Sequence, residues 1–334
     1  MSAPAWLWLL AITLVWPVPA VLARARLLLT VPRAAVVLWQ AVAVAALLAT
    51  FGAALATIQA LVFNLFLPRD GERARIPDQL DATGVLHLGI AGLLLVLTVV
   101  ALVKLNYVGI QVARRLRRHR SRHRDLIDLL SSSRRVDASG PSEEDVRVLR
   151  AGEIAYAYCL PGRDARVVIS DAALRDLSAE QVAAVIEHER AHLRARHDLL
   201  LEFFTVLYEA AGRRAGTQAA LEQSAVLVEL LADDAARRLY GPQPLIAALA
   251  TMGGTTTLES PGSSFSTLPH DDAAANEVTG LGVLPRLRRL VDAPVSVAPP
   301  GLAAAVYAGA VALIAVPTLA VALPWLTSTW DAVR

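Results

Sequence analysis

One short run, His188-Glu189-Arg190-Ala191-His192, carries the pattern H-E-x-x-H. On a helix turning about 100° per residue, its two histidines stand one turn apart and about 40° apart around the axis. Two imidazoles so placed can grip one metal ion, and Glu189 beside the first can take a proton from a water held there. Zinc suits such a set, because it accepts imidazole nitrogen and carboxylate oxygen and lowers the pKa of its water to about 7. A third ligand is offered by Glu229 in Glu229-Leu-Leu-Ala-Asp233, which would leave a fourth position open for water. Asp233, one turn on, is expected to accept a hydrogen bond from a ligand histidine and fix its tautomer. Carboxylates among Val226, Val228, Leu230 and Leu231 are costly unless paired or bound to metal. The competing reading of this pair is a solvated helix face with a structural ion pair. His197, nine residues from His188, is expected about 180° around a continuous helix and so to point away. Together with Glu187 and Arg190 it reads as a surface or packing residue. His270 and Arg286, later in the chain, are candidate oxyanion or substrate contacts.

These residues need elements to hold them. Ser178-Ala-Glu-Gln181 fits a capping box, in which Ser178 and Gln181 each satisfy an orphan backbone N–H. The helix it starts is expected to carry His188 and His192 and to run past Asp198. A second helix over about Thr217–Tyr240 carries Glu229 and is stopped by Gly241-Pro242. Upstream, Ile154–Leu160 and Arg166–Ser170 read as extended stretches joined through Pro161-Gly162-Arg163-Asp164, the pattern of a hairpin. If Arg166–Ser170 is an edge strand beside the metal, it can pair with an extended peptide through main-chain hydrogen bonds. The plain alternative is a packing strand. Ser131–Pro141 reads as a linker and Gly253–Gly280 as a long mobile loop.

The rest of the chain points to a bilayer. Of its 334 residues 55% are hydrophobic and 19% charged, with a mean hydropathy of +0.48. An ordinary soluble domain is less apolar and more charged, and disorder is excluded by the same balance. The single Cys159 excludes an intrachain disulfide and a Cys-rich zinc module. A net charge of +2 gives no reason to expect a direct nucleic-acid partner. Apolar stretches at about 4–23, 35–67 and 82–105 are each long enough to cross a membrane as a helix, which takes about 20 residues. A fourth lies within Ala293–Trp330, centred on Leu302–Trp325. The first has no positive charge before it and Arg24, Arg26 and Arg33 after it, the pattern of an anchor rather than a cleaved signal. Arg114, Arg115, Arg117, Arg118, Arg120, Arg122 and Arg124 follow the third stretch. By the positive-inside rule this puts both termini outside and the central segment in the cytoplasm. The arginine run itself is expected to hold topology and touch anionic lipid. The expected domains are three transmembrane helices in 1–110, a cytoplasmic domain carrying the candidate zinc site in 111–300, and a fourth transmembrane helix with a short external tail in 301–334.

Three spans, a segment bearing His188-Glu189-x-x-His192 and Glu229-x-x-Ala232-Asp233, and a fourth span together resemble the BlaR/MecR-type membrane zinc metallopeptidases. Tyr156–Gly162, Val167–Ser170 and Leu177–Glu180 resemble that family's approach to its zinc helix. The ExxAD pattern is shared with HtpX- and CAAX-protease-type gluzincins. The resemblance implies a mainly α, multi-pass membrane protein with four transmembrane helices, three plus one, and an α+β gluzincin-like zinc peptidase domain. It implies His188, His192 and Glu229 as ligands of one zinc ion per chain, Glu189 as general base and Asp233 behind the ligands. Its expected function is zinc endopeptidase cleavage of a cytoplasmic or membrane-proximal protein, in signal transduction by regulatory proteolysis of a DNA-binding repressor. The penicillin-binding sensor domain of β-lactam-sensing members is expected to be lacking, since only Leu326–Arg334 follow the fourth span. The alternatives are HtpX-like quality control of membrane proteins and a non-catalytic membrane signal relay.

Overall fold

The structure is a computed structural model that describes residues 3–66, 82–132, 146–150, 153–162, 164–253, 286–291 and 299–319, with 323 and 327. Its N-terminal part is apolar helix. Helices α1 (Ala3–Val15) and α2 (Pro17–Arg24) are separated at Trp16, where Pro17 opens the new helix, a position at which the missing proline N–H costs nothing. A 3-10 turn (Arg26–Thr30) leads to α3 (Pro32–Phe66), and α4 (Ala82–Leu130) follows. Three helical stretches, Pro4–Arg24, Pro32–Phe63 and Ala82–Leu129, are long and apolar enough to cross a membrane. On α4 the side chains of Leu86, Leu93, Val96, Val100 and Val103 stand exposed, an arrangement suited to lipid rather than water. Among the described residues the fourth expected span is represented by an apolar helix, Leu302–Pro317, of 16 residues. Helix α1 packs along α3, with Leu7 against Ala53 and Ala56 and Leu14 against Val42 and Ala45. Small alanines let the helices approach closely, and Trp8 Nε1 donates to Thr57 Oγ1 at 3.0 Å.

Helix α4 does not end with the apolar stretch. Its 49 residues run unbroken through residue 110 and extend about 73 Å at 1.5 Å per residue. Three arginines of the run reach the segment that carries the two motifs, while Arg114, Arg117, Arg118 and Arg122 stay exposed. Arg115 pairs with Glu209 at 2.5 Å, Arg120 with Asp198 at 3.3 Å, and Arg124 donates to the carbonyl of Pro161 at 3.3 Å. Asp128 near the helix end pairs with Arg166. The acids were invisible as partners in sequence because they lie some 40 to 90 positions away.

Beyond α4 stands a sheet of order β1-β2-β4-β3, made of β1 (Ser131–Ser132), β2 (Val146–Leu149), β3 (Ala157–Leu160) and β4 (Arg166–Ser170). The expected hairpin is present, with β3 and β4 antiparallel and Leu160 opposite Arg166. Strand β4 is not an edge, however. It lies between β3 and β2, the latter parallel to it with Val146 opposite Val167, so both rows of its main-chain groups are taken. Alternation along the strands sends Val167 and Ile169 to one core with Val182, Val185 and Ile186, and Val168 to another with Ile127, Tyr156 and Tyr158. The expected linker begins inside this sheet, where Ser131 and Ser132 pair with β2; 133–141 lie outside the described residues, as do 254–280 of the expected loop.

Helix α5 (Asp171–Asp176) is capped by Ser170, whose Oγ accepts from Ala173 N–H at 3.1 Å. Helix α6 (Ala179–Ala195) begins with the expected capping box. It does not run past Asp198. Arg196 adopts φ 51° and ψ 44°, and α7 (His197–Ala210) starts at once. Helix α8 (Ala215–Tyr240) ends at Gly241, φ 76°, and α9 (Pro242–Gly253) follows. The N-terminal turn of α8 meets the first apolar stretch so closely that a Cβ on Gly216 would lie 2.6 Å from the carbonyl oxygen of Val15. That oxygen is backbone and cannot swing aside, so Gly216→Ala should destabilise the protein by about 1–3 kcal/mol, read as a fall in melting midpoint in detergent. Gly89, with nothing within 4 Å of its would-be Cβ, is the control; an equal response of Gly89→Ala and Gly216→Ala would remove the close approach as the cause.

Candidate metal centre

Helices α6 and α8 bring the separated motifs together. Val182, Val185 and Ile186 fix one side of α6 on the sheet, which leaves His188 and His192 facing α8. Ala184 and Ala236 are fully buried in a shared cluster, and small side chains there let the helix backbones draw near. His188 Nε2 lies 3.2 Å from His192 Nε2 and 3.3 Å from Glu229 Oε2, and His192 Nε2 lies 3.4 Å from Glu229 Oε1. Both histidines are buried at 5% exposure, and these three are the His, Cys and acidic side chains that, among the described residues, could hold a metal ion. Two ligand atoms each about 2.05 Å from a tetrahedral zinc ion stand about 3.3 Å apart. The edge between the two imidazoles matches that spacing, and each imidazole has one Glu229 oxygen at a similar distance, Oε2 for His188 and Oε1 for His192, so the residues fit the ion.

Behind these residues lies a layer of polar contacts. Asp233 Oδ1 is 2.9 Å from His188 Nδ1, close but without the alignment of a linear hydrogen bond. Arg286 holds Asp233 with two bonds, Nε to Oδ2 at 2.8 Å and Nη2 to Oδ1 at 2.7 Å, and its Nη1 lies 3.0 Å from Glu229 Oε2. Arg289, three residues on, donates to Asp234 at 2.7 Å. Thus Arg286 is committed to the two carboxylates of α8 rather than directed at a substrate carbonyl. His270 lies outside the described residues. Glu187 pairs with Arg194, in keeping with a packing role.

His197 departs most from expectation. It is buried at 5% exposure, and its Nδ1 lies 3.0 Å from Nδ1 of His192. The break at Arg196 redirects the chain and turns this ring back onto the site. For Nε2 of His192 to face a metal, its Nδ1 must carry the proton, and Nδ1 of His197 is the acceptor that holds it there. No glycine or proline marks the break; the only hint in sequence is the basic pair Arg194 and Arg196 in a last helical turn. Cys159 was also missed. From β3 its thiol hydrogen-bonds the Glu189 carboxylate.

Charge follows geometry. Burial pushes Glu189 up to about 7, helped by nearby Glu229 and opposed by His188, Cys159 and Arg286; a base poised near neutrality is the useful case. Burial alone would lower His188, but Asp233 and Glu229 raise it to about 10. Burial takes His192 down to about 3 and His197 to about 4, so both stay neutral. Burial works against ionised Glu229 and Asp233, yet His192 and Arg286 for the first and Arg286 for the second keep both low. Without metal, protonated His188 and Arg286 balance Glu229 and Asp233. With a dication and ionised Glu189 the balance is again even, provided His188 has lost its proton.

Comparison with known proteins agrees with this chemistry. The sequence model of peptidase family M48 matches residues 117–239, from the basic end of α4 through almost all of α8, and supports a metallopeptidase. No curated protein and no solved structure matches the chain. Two outcomes are expected. Zinc loading near neutral pH should release at least one proton per ion, mainly from His188, read by calorimetry in buffers of different ionisation enthalpy; loading without proton release would contradict the charge balance. His197→Ala should weaken zinc binding about 10- to 100-fold in chelator competition while the fold persists by circular dichroism.

Proposed function

We propose that the chain is an integral-membrane zinc endopeptidase of BlaR/MecR-type layout, cutting a cytoplasmic or membrane-proximal protein. The observation that carries this is the convergence of buried His188 and His192 with the largely covered Glu229, their nitrogen and oxygen atoms 3.2–3.4 Å apart and Glu189 beside them. Bound zinc would polarise the scissile carbonyl and activate water. Glu189, raised towards neutrality, would accept the proton and later deliver it to the leaving amine. Asp233 would hold His188, His197 would hold His192, and Arg286 would keep Glu229 and Asp233 ionised and in place.

Substrate alignment is assigned to β3 in place of the inner strand β4. Among the described residues β3 is the outer strand of the sheet on its side, and its Cys159 reaches Glu189. An extended peptide adding to Ala157–Leu160 would present its main chain next to the base. The three long apolar helices support membrane insertion, and both termini outside with the metal site in the cytoplasm remains the topology favoured by charge. Regulatory cleavage of a DNA-binding repressor is the physiological reading, resting on the three-plus-one layout.

Purified protein should carry about one zinc per chain. Glu189→Ala should keep the metal and lose peptidase rate by about 10²–10⁴-fold, whereas Glu229→Ala should lose the metal itself. Full proteolysis by Glu189→Ala would end the assignment. Trapping substrates on Glu189→Ala in cells separates the physiological readings: one preferred repressor supports regulation, and a broad set of misfolded membrane proteins supports quality control. Identical cellular behaviour of wild type and variant would favour a non-catalytic relay.

A further inference from the structure

A cavity of about 260 Å³ lies where the apolar helices meet the metal-site segment. Its wall is formed by Leu14 of α1, Ala46 of α3, Ala101 of α4, Phe204 of α7, Ala211 just after it and Gly216 of α8, among others. The lining is almost wholly carbon. Its two hydroxyls, on Thr50 and Thr217, donate to the carbonyls of Ala46 and Arg214 and are turned away from any guest.

The cavity has a definite depth. Counting about 20 residues along α3 from Phe66 reaches the neighbourhood of Leu47, and the same count along α4 from Ala82 reaches Ala101; both line the cavity. Trp16, 79% exposed, follows Leu14 and Val15 at the same level, as an interfacial aromatic should. The cavity therefore sits at the hydrocarbon boundary on the side of the metal site. The turn between α7 and α8, Gly212-Arg213-Arg214, lies between the lining residues Ala211 and Gly216 and is exposed. Among the described residues neither Arg213 nor Arg214 has an acidic partner, in contrast to Arg115, which Glu209 neutralises. Arg213 is held at φ 59° after Gly212 at φ 73°, two successive left-handed residues that close the turn between α7 and α8.

We infer that this cavity takes an acyl chain of an anionic phospholipid from the adjoining leaflet, with its phosphate at Arg213 and Arg214. The apolar wall accounts for the chain, and two unneutralised guanidinium groups at headgroup depth account for the charge. The site differs from the arginine run of α4, whose members Arg115, Arg120 and Arg124 are engaged by protein. It rests on the membrane-spanning reading above and on none of the peptidase chemistry.

The test uses the full chain in nanodiscs of phosphatidylcholine with and without phosphatidylglycerol. Native mass spectrometry after mild release should show phosphatidylglycerol retained at least several-fold over phosphatidylcholine. The double variant Arg213→Gln, Arg214→Gln should lose that preference, and Ala46→Phe, which fills the cavity, should lose retained lipid of both kinds. Equal retention of both lipids by wild type, or undiminished retention by Ala46→Phe, would overturn the proposal. Should Ala46→Phe not fold, phosphatidylglycerol carrying a photoreactive acyl chain gives the same decision on wild type. Crosslinks within 204–220 support the site, and crosslinks confined to the lipid-facing residues 85–100 reject it. Failure of the membrane reading is seen separately, as protein released without detergent.

Discussion

Two carboxylates on one turn of α8, buried Asp233 and largely covered Glu229, are compensated among the described residues by Arg286, His188 and His192. Ionised carboxylates in such surroundings are tolerated only when paired, so everything nearby must be placed to within fractions of an ångström. The sheet under α6 provides that placement on one side, and Arg286 and Arg289 pin the other face of α8 from far along the chain. A dication is the natural completion of this arrangement, because it lets both imidazoles and Glu189 be unprotonated together. The burial that makes the site costly without metal is also what poises Glu189 near neutrality.

The site is not built on a free-standing domain. Helix α4 leaves the apolar bundle and continues to the sheet, and its cationic face meets Asp198 and Glu209 of α7. Helix α8 begins against Val15 of the first apolar stretch and passes Trp39 and Ala35 of α3 in a common core. From Gly216 to Glu229 is 13 residues, about 20 Å of rigid helix. A displacement at the N-terminal end of α8 therefore acts on the helix that carries Glu229 without an intervening joint. The metal-binding half and the apolar half share α4 and α8 as common structural members.

Several features of the fold could be read because they depend on neighbours in sequence. A capping box is closed within four residues, so Ser178 and Gln181 announced α6. The i, i+4 geometry of His188 and His192 follows from helix pitch alone, and the turn formers at 161–164 sufficed for the β3–β4 hairpin. The spacing Glu229 to Asp233 likewise needed only a helix. By contrast, sequence leaves open whether β4 is an edge or a packing strand, because β2, its parallel neighbour, lies some 20 residues earlier and gives no local sign of pairing.

What sequence alone determined was thus which side chains are candidate donors, the helices that carry them and the apolar character of the long stretches. Tertiary structure decided three further matters. It turned His197 inward through a left-handed Arg196, it drew Arg286 onto Glu229 and Asp233 across more than 50 residues, and it set Arg115 and Arg120 of α4 on protein acids. Each depends on through-space electrostatics or on a single backbone torsion. Such choices are settled by a few kcal/mol of packing and charge pairing summed over the whole fold, and no periodicity in the chain records them.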